Sequence, residues 1–308
     1  MPGPPRVAVV PPNPDVERAV AHARARLVDA AEADAIVWTD PTDPIGLREV
    51  LSASPATWVQ LPFAGIEEFA AAGVIDREHT WSCAKGIYGP STAEHALALV
   101  LMATRHLHRH VRAKRWRKRG EFAGARRLSA GTVLIVGTGG IGRALAAMLE
   151  PLGPRVLAVN RSGRPMPGAE ATYPVAELER VVPEADWIVL AAALTPQSEG
   201  LFNATVLALM RPDAWLINVG RGRLVDQDAL VEALRAGRIG GAALDVTDPE
   251  PLPEGHPLWS LDNAVITSHT ANTWAMAVPE LADLVARNID RFSRGETLEG
   301  LVDVEAGY

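Results

Sequence analysis

Cysteine is almost missing from this chain. Cys83 is the only one in 308 residues, which excludes an intramolecular disulfide and leaves no thiolate cluster for a metal. No apolar run approaches the length of a membrane span. The opening MPGPPRVAVVPP has too short an apolar stretch and too many prolines for a secretory signal. An excess of positive charge is lacking too. Thirty basic against 37 acidic residues give a net charge of −7, so the molecule as a whole is not drawn to nucleic acid or to an anionic membrane. Short-period repeats and low-complexity segments are also absent. What is present, 48% hydrophobic and 22% charged residues, is the composition of a soluble globular protein, with a reducing cytoplasm as the expected location. The length suits two domains, each able to bury a core.

Short β-branched runs alternate with Ala-rich amphipathic stretches, the signature of parallel α/β structure. Strands are expected near 6–10, 35–39, 57–61 and 79–82, with helices near 15–30, 44–52 and 66–72. A long helix is expected from Ser91 to Arg117, with Leu97, Leu101, Thr104 and Leu107 at helical spacing. A second series of strands follows near 132–136, 155–159, 187–191, 214–219, 241–245 and 264–267, and a helix near 273–295 closes the chain.

Only the second series carries a glycine fingerprint. In GTVLIVGTGGIGRALAAML, a buried-type strand meets Gly137, Gly139 and Gly142, and a helix begins at once. Glycines there permit a tight turn and close approach of backbone to a pyrophosphate, while the helix N-terminus offers N–H groups and positive potential. The pattern alone is weak and also fits a plain tight turn. Its setting of strand, turn and helix favours dinucleotide binding.

One further absence concerns that cofactor. Nicotinamide enzymes that use NAD place an acid at the end of the next strand, where it accepts hydrogen bonds from the ribose. Here VLAVNRSGR puts Asn160 at that spacing, followed by Arg161, Ser162 and Arg164 on a glycine-bearing loop. The element that would repel a 2′-phosphate is gone, and groups suited to binding one follow immediately. NADP is therefore the expected cofactor. The alternative is an ordinary basic turn with NAD held through Asn160 alone.

Three polar side chains break local rules. Arg221 stands between Gly220 and Gly222 at the end of the strand in WLINVGRGRLVD. Glu250 lies between two prolines in GAALDVTDPEPLPEGHPLW, and His269 ends the apolar strand in NAVITSHTANTW. Singly, each has an ordinary explanation: a surface ion pair, a solvated carboxylate, a structural histidine. Together they form an acid–base set at the crevice-side ends of separate segments, where open sheets bind ligands. An arginine can grip a carboxylate, a carboxylate beside a histidine favours imidazolium, and a histidine can give or take a proton near neutrality.

With these residues in view, the sequence resembles the D-isomer-specific 2-hydroxyacid dehydrogenases, which include glyoxylate/hydroxypyruvate reductases. LINVGRGRLVDQDALVEALRAGRIGGAALDV (216–246) resembles the family's most specific signature, TAEHALALVLMATR its interdomain helix, and VQLPFAGIE (59–67) its substrate loop. The resemblance implies hydride transfer between NAD(P)H and a small 2-oxo acid or D-2-hydroxy acid. Arg221 would bind the substrate carboxylate and carbonyl oxygen, His269 would be general acid/base, and Glu250 its partner. Backbone groups around Phe63, Ala64 and Gly65 would complete carboxylate binding, and Asp245 would sit beside the nicotinamide. Gly140, Ile141, Ala192, Val219, Gly220 and Ala271 fall with the glycine turn and His269 among the implied cofactor contacts. No metal is implied.

The implied architecture is two Rossmann-like or flavodoxin-like α/β domains with parallel sheets. A cofactor domain over 99–277 would be inserted into a discontinuous substrate domain of 1–98 and 278–308, with ligand in the cleft between them. Two departures stand out: Thr247 where the family usually has Phe, and Ala193 where Pro is common. Formate dehydrogenase is disfavoured because that branch replaces the glutamate with Gln, and a regulatory extension of the phosphoglycerate dehydrogenase kind is not expected. From Arg105 to Arg119 the chain carries eight Lys/Arg and three His in fifteen residues. A solvated face is the expected reading, with nucleic-acid or membrane binding as the alternative; His106 and His110 stand one turn apart, and the surrounding cations oppose a metal between them. In the family this helix lies at a dimer interface, so a homodimer through the helix near 91–117 is expected. The other readings are a dinucleotide-sensing, corepressor-like binding protein, or a dehydrogenase of another substrate such as phosphoglycerate or phosphite. Lys85 is a candidate contact for an acidic substrate, or a plain surface lysine.

Overall fold

The computed structural model describes residues 3–116, 118 and 124–305. The chain divides into two compact units, Met1–Tyr88 with Thr273–Tyr308, and Gly89–Asn272. The sequence placed these divisions after residues 98 and 277; they fall instead at the start of a helix and just before another.

The first unit holds a five-stranded parallel sheet in the order β2-β1-β3-β4-β5. In chain order it runs β1 (Arg6–Val10), α1 (Pro14–His22), β2 (Arg26–Leu27), β3 (Ala35–Trp38), α2 (Pro44–Ser52), β4 (Trp58–Gln60), α3 (Glu67–Ala71) and β5 (Thr80–Ser82). The expected helix over 15–30 ends early. Asn13 caps α1 by accepting from the amides of Asp15 and Val16, and Pro14 supplies a fixed φ for the first turn. After His22 the chain turns through a left-handed Arg24 (φ 59°), and the amides of Arg26 and Val28 bond to Pro5 and Val7. Pairing with β1 thus overrides the helical bias of the Ala-rich stretch. Val16 and Val20 of α1 pack with Leu281, Val285 and Ile289 of the closing helix against one sheet face.

The second unit begins with α4 (Gly89–Thr104) and α5 (Leu107–Arg112). It continues as β6 (Thr132–Val136), α6 (Gly140–Leu149), β7 (Arg155–Asn160), β8 (Ala171–Pro174), α7 (Leu178–Val181), β9 (Trp187–Leu190), α8 (Ala204–Leu209), β10 (Trp215–Asn218), α9 (Gln227–Arg235), β11 (Gly241–Leu244) and β12 (Ala264–Ile266). The closing helix α10 (Trp274–Arg294) belongs to the first unit. The seven strands are all parallel, in the order β12-β11-β10-β9-β6-β7-β8. Strands β6, β9 and β10 are buried throughout, which is why they read as continuous apolar runs. Chain order reverses between β6 and β9, the kind of switch point beside which doubly wound sheets bind ligands.

The long helix expected from Ser91 to Arg117 is two helices. His106 is left-handed (φ 53°) at the break, so it caps α5 and does not share a helical face with His110. The turn lets His108 bury against Trp215, ring centroids 4.9 Å apart, and lets Arg112 donate to the carbonyls of Asp262 and Ala264. Of the four positions singled out, Thr104 is buried and Leu97 half-buried, whereas Leu101 and Leu107 face solvent; Ala93, Ala96, Leu99, Val100 and Ala103 are buried as well. Arg117 and Arg119 lie outside the described residues. Among the described residues no helix is long and apolar enough to cross a membrane.

Candidate active site

All the expected cofactor positions lie at the C-terminal ends of parallel strands in the second unit. Gly137, Gly139, Gly140, Ile141 and Gly142 follow β6; Asn160, Arg161, Ser162 and Arg164 end or follow β7; Ala192 follows β9; Val219 and Gly220 follow β10. Asp245 follows β11, and His269 and Ala271 follow β12. Because the strands run parallel, these residues share one edge of the sheet.

The glycine turn has room for a ligand backbone. Gly137 sits at φ 105°, and a Cβ there would come within 2.5 Å of the Ala192 nitrogen, so no side chain fits. Among the described residues, a Cβ on Gly139 would meet nothing within 4 Å. That open side, at the start of a ten-residue helix whose N-cap has no side-chain hydrogen bond, fits a pyrophosphate.

Asn160 is fully engaged. Its Oδ1 accepts from the amides of Ser162 (3.0 Å) and Gly163 (2.7 Å), and its Nδ2 donates to Thr138 Oγ1 (3.1 Å) and the Arg164 carbonyl (2.8 Å). The side chain closes the loop after β7 and ties it to the glycine turn. Arg161, Ser162 and Arg164 stand exposed on that loop.

Arg221 is held by a similar device. Asn218, at the end of β10, accepts from the Gly220 amide (3.0 Å) and donates to the Arg221 carbonyl (2.9 Å). A Cβ on Gly222 would lie 1.9 Å from the Thr247 carbonyl oxygen. Glycine is therefore what allows the Arg221 segment to rest directly on the loop that carries Glu250. That loop is fastened at Thr247, whose amide donates to Glu250 Oε1 (2.9 Å) and whose hydroxyl donates to the Pro249 carbonyl (3.0 Å). The departure at Thr247 thus leaves the backbone contact to Glu250 in place.

Glu250 Oε2 lies 2.8 Å from His269 Nδ1. Burial pushes the Glu250 carboxyl up, but hydrogen bonds from His269 and the Thr247 amide, with the charges of His269 and Arg221, outweigh it and hold it low. The same hydrogen bond raises the His269 pKa against burial, helped by the charges of Glu250 and Asp245 and opposed by Arg221. With Nδ1 given to Glu250, Nε2 is the nitrogen left to exchange a proton. The His269 side chain is 56% exposed, as such a role requires.

Asp245, expected beside the nicotinamide, is buried just beyond β11. It is 2% exposed, and its carboxylate is surrounded by donors: Thr267 Oγ1 (2.5 Å), the amides of Thr270 (2.9 Å) and Ala271 (3.0 Å), and His95 Nε2 (3.3 Å). Burial alone would raise its pKa; these donors bring it down to about 2. The sequence reading singled out neither His95 nor Thr267, nor the supporting asparagine Asn218. Asn218 had a readable signal, a buried-strand amide just before a glycine-flanked arginine. His95 had none.

Phe63, Ala64 and Gly65 belong to the first unit, on the loop after β4. The Tyr88 hydroxyl donates to the Pro62 carbonyl (2.6 Å) and the Ala84 amide to the Phe63 carbonyl (3.2 Å). The Phe63 ring packs against those of Tyr88 (5.8 Å) and Trp274 (5.7 Å). Lys85 is exposed just beyond β5.

Comparison with known proteins points to one family. The family described as D-isomer specific 2-hydroxyacid dehydrogenase, NAD binding domain, matches residues 97–271. An uncharacterized protein in the proB 3′ region of Corynebacterium melassecola is 45% identical over 254 residues, 82% of this chain and 83% of that protein. A glyoxylate reductase of Pyrococcus furiosus is 38% identical over 224 residues, 70% of this chain and 66% of that enzyme. Among solved structures, an NADPH-dependent glyoxylate/hydroxypyruvate reductase from Sinorhizobium meliloti, in complex with NADP and sulfate, superposes with a TM-score of 0.83 at 26% identity, covering 100% of both chains.

Proposed function

This chain belongs to the D-isomer specific 2-hydroxyacid dehydrogenase family, and on that premise we propose that it reduces a small 2-oxo acid with NADPH. The observation that carries the reading is the 2.8 Å pairing of His269 Nδ1 with Glu250, beside Arg221, on the sheet edge that also bears the glycine turn. A bound nicotinamide would supply the hydride. The turn at Gly137, Gly139, Gly140, Ile141 and Gly142 would hold its pyrophosphate, with Ala192, Val219, Gly220, Asp245 and Ala271 around the remainder. Arg221 binds the substrate carboxylate and polarises the carbonyl oxygen, and His269 delivers a proton from Nε2 to that oxygen. Glu250 keeps the imidazole protonated and oriented. Phe63, Ala64 and Gly65 are proposed to add backbone contacts to the carboxylate.

NADPH is preferred in this reading because no acid stands at Asn160 and two arginines and a serine follow it. The test is oxidation of NADPH and of NADH with glyoxylate, hydroxypyruvate, pyruvate and bulkier 2-oxo acids. His269→Ala should lower kcat by roughly 10²–10⁴-fold, the usual worth of a positioned acid. Arg221→Ala should raise KM for the acid sharply. Dinucleotide binding without turnover of any acid sinks the enzymatic reading and favours a dinucleotide sensor. We also propose a homodimer through the α4–α5 region, where Leu101, Leu107, Val111 and Trp116 are exposed, the last 93%. Light scattering on the purified protein checks it; a monomer at micromolar concentration rules it out.

A further inference from the structure

We infer that His95 is a positioning residue for the His269 imidazole, acting through Thr267 and the buried carboxylate of Asp245. The inference rests on the reading of His269 as the proton-transfer group. Its physical basis is the turn that carries His269. The His269 amide donates to the Asp245 carbonyl (2.8 Å) and the Thr267 carbonyl (3.0 Å), and the backbone there is left-handed (φ 51°), a conformation that non-glycine residues hold only when their surroundings impose it. On either side the chain is tied to the Asp245 side chain, through the Thr267 hydroxyl before it and the amides of Thr270 and Ala271 after it. Asp245 therefore grips the whole turn.

His95 closes this arrangement from α4. Its Nε2 lies 3.0 Å from Thr267 Oγ1 and 3.3 Å from Asp245 Oδ1. The Thr267 proton is already given to the carboxylate, so the hydroxyl oxygen must accept, and His95 must present Nε2–H. That assignment gives a directed chain, His95 to Thr267 to Asp245. A carboxylate sealed from water needs each of its donors. With the His95 donor removed, the Thr267 hydroxyl loses its orientation, and the grip on the turn loosens. His269 faces Glu250, Arg221 and Asp245, so a displaced turn changes both where its proton points and how strongly Glu250 holds it. Placement errors of this kind reduce rate more than binding.

The competing view is a helix histidine that merely satisfies its own hydrogen bonds. His95→Gln and His95→Leu separate the two, because both fill similar space and only Gln can donate. The Gln variant is expected to keep kcat within about threefold of the parent, and the Leu variant to lose roughly tenfold or more with KM for the acid within about twofold. In the cofactor-free protein, the His269 imidazole titration followed by NMR should keep its raised midpoint in the Gln variant and fall toward the ordinary imidazole value in the Leu variant. Thr267→Val, which cuts the relay, replaces the Leu variant if that one does not fold. Equal kcat and equal midpoints for the donating and non-donating variants overturn the inference. If the parent protein reduces no 2-oxo acid, the proposed function falls while the titration still decides the role of His95.

Discussion

His269 and Glu250 form a one-sided pair: Nδ1 meets Oε2 at 2.8 Å, while the other carboxylate oxygen is held by the Thr247 amide at 2.9 Å. The carboxylate is fixed at both oxygens, so it can orient the ring as well as stabilise its charge. Glu250 is held below its ordinary pKa and His269 above its own. Their attraction is therefore present across the window between those two titrations. It is lost above as the imidazolium deprotonates and below as the carboxylate protonates.

If His269 is the proton donor proposed above, reduction needs its protonated form, and activity should fall as pH rises through the raised histidine pKa. Glu250→Gln keeps a hydrogen-bond acceptor but removes the charge that favours imidazolium. The alkaline limb of kcat/KM for reduction is expected to move to lower pH in that variant. A limb that stays in place, measured over pH 5 to 10 with saturating cofactor, argues that another group governs the profile.

The sheet of the second unit was legible because its strands are buried on both faces and so lack any polar interruption. Strand β8 was not, since Ala171–Pro174 is only half-buried at the sheet edge and its pattern is that of a loop. The break at His106 was hidden for another reason: nothing local in RHLHRH opposes helix, and the turn is set by His108 meeting a tryptophan from a distant strand. At the site, Arg221, Glu250 and His269 stood out as charges closing apolar segments. His95 sits in an Ala/Leu-rich helix, and its partner Thr267 is 172 positions along the chain. Single-sequence periodicity carries no trace of such a contact.

His108 gives the second unit an acid sensitivity of its own. It is 7% exposed, its Nδ1 is buried without a hydrogen-bond partner among the described residues, and its pKa is lowered to about 4 by burial, aided by the charges of His106, Arg112 and Arg109. The unfolded chain takes up this proton near pH 6.5, the folded one only near 4. Stability is therefore complete above about 6.5 and declines as pH falls toward 4. At pH 5 this one group should cost about 2 kcal/mol relative to pH 8. His108→Phe keeps an aromatic ring against Trp215 and removes the titration. Urea unfolding at pH 8 and pH 5 should show a smaller acid loss in the variant; an identical loss in both shows that His108 is protonated without penalty.

The cofactor prediction turns on Asn160. All four of its hydrogen-bonding positions are used within the protein, two on the amides of Ser162 and Gly163 and two on Thr138 and the Arg164 carbonyl. Asn160 therefore acts as the clasp of the loop, and on the proposed reading the groups that would bind a 2′-phosphate are Arg161, Ser162 and Arg164. One good arginine–phosphate contact, worth roughly 1.5–3 kcal/mol, should favour NADPH over NADH by about 10–100-fold in kcat/KM. Arg161→Ala should erase most of that preference and leave NADH kinetics nearly unchanged. Added salt should weaken NADPH more than NADH, because only the former gains from an exposed charge pair. Asn160→Asp is the sharper variant. An aspartate still accepts from Ser162 and Gly163, but it cannot donate to the Arg164 carbonyl, and it sets a negative charge where the 2′-phosphate would bind. It should depress NADPH turnover well beyond Arg161→Ala while sparing NADH. Initial rates with both cofactors across the three proteins decide the matter, and a tenfold preference for NADH in the parent sinks the assignment.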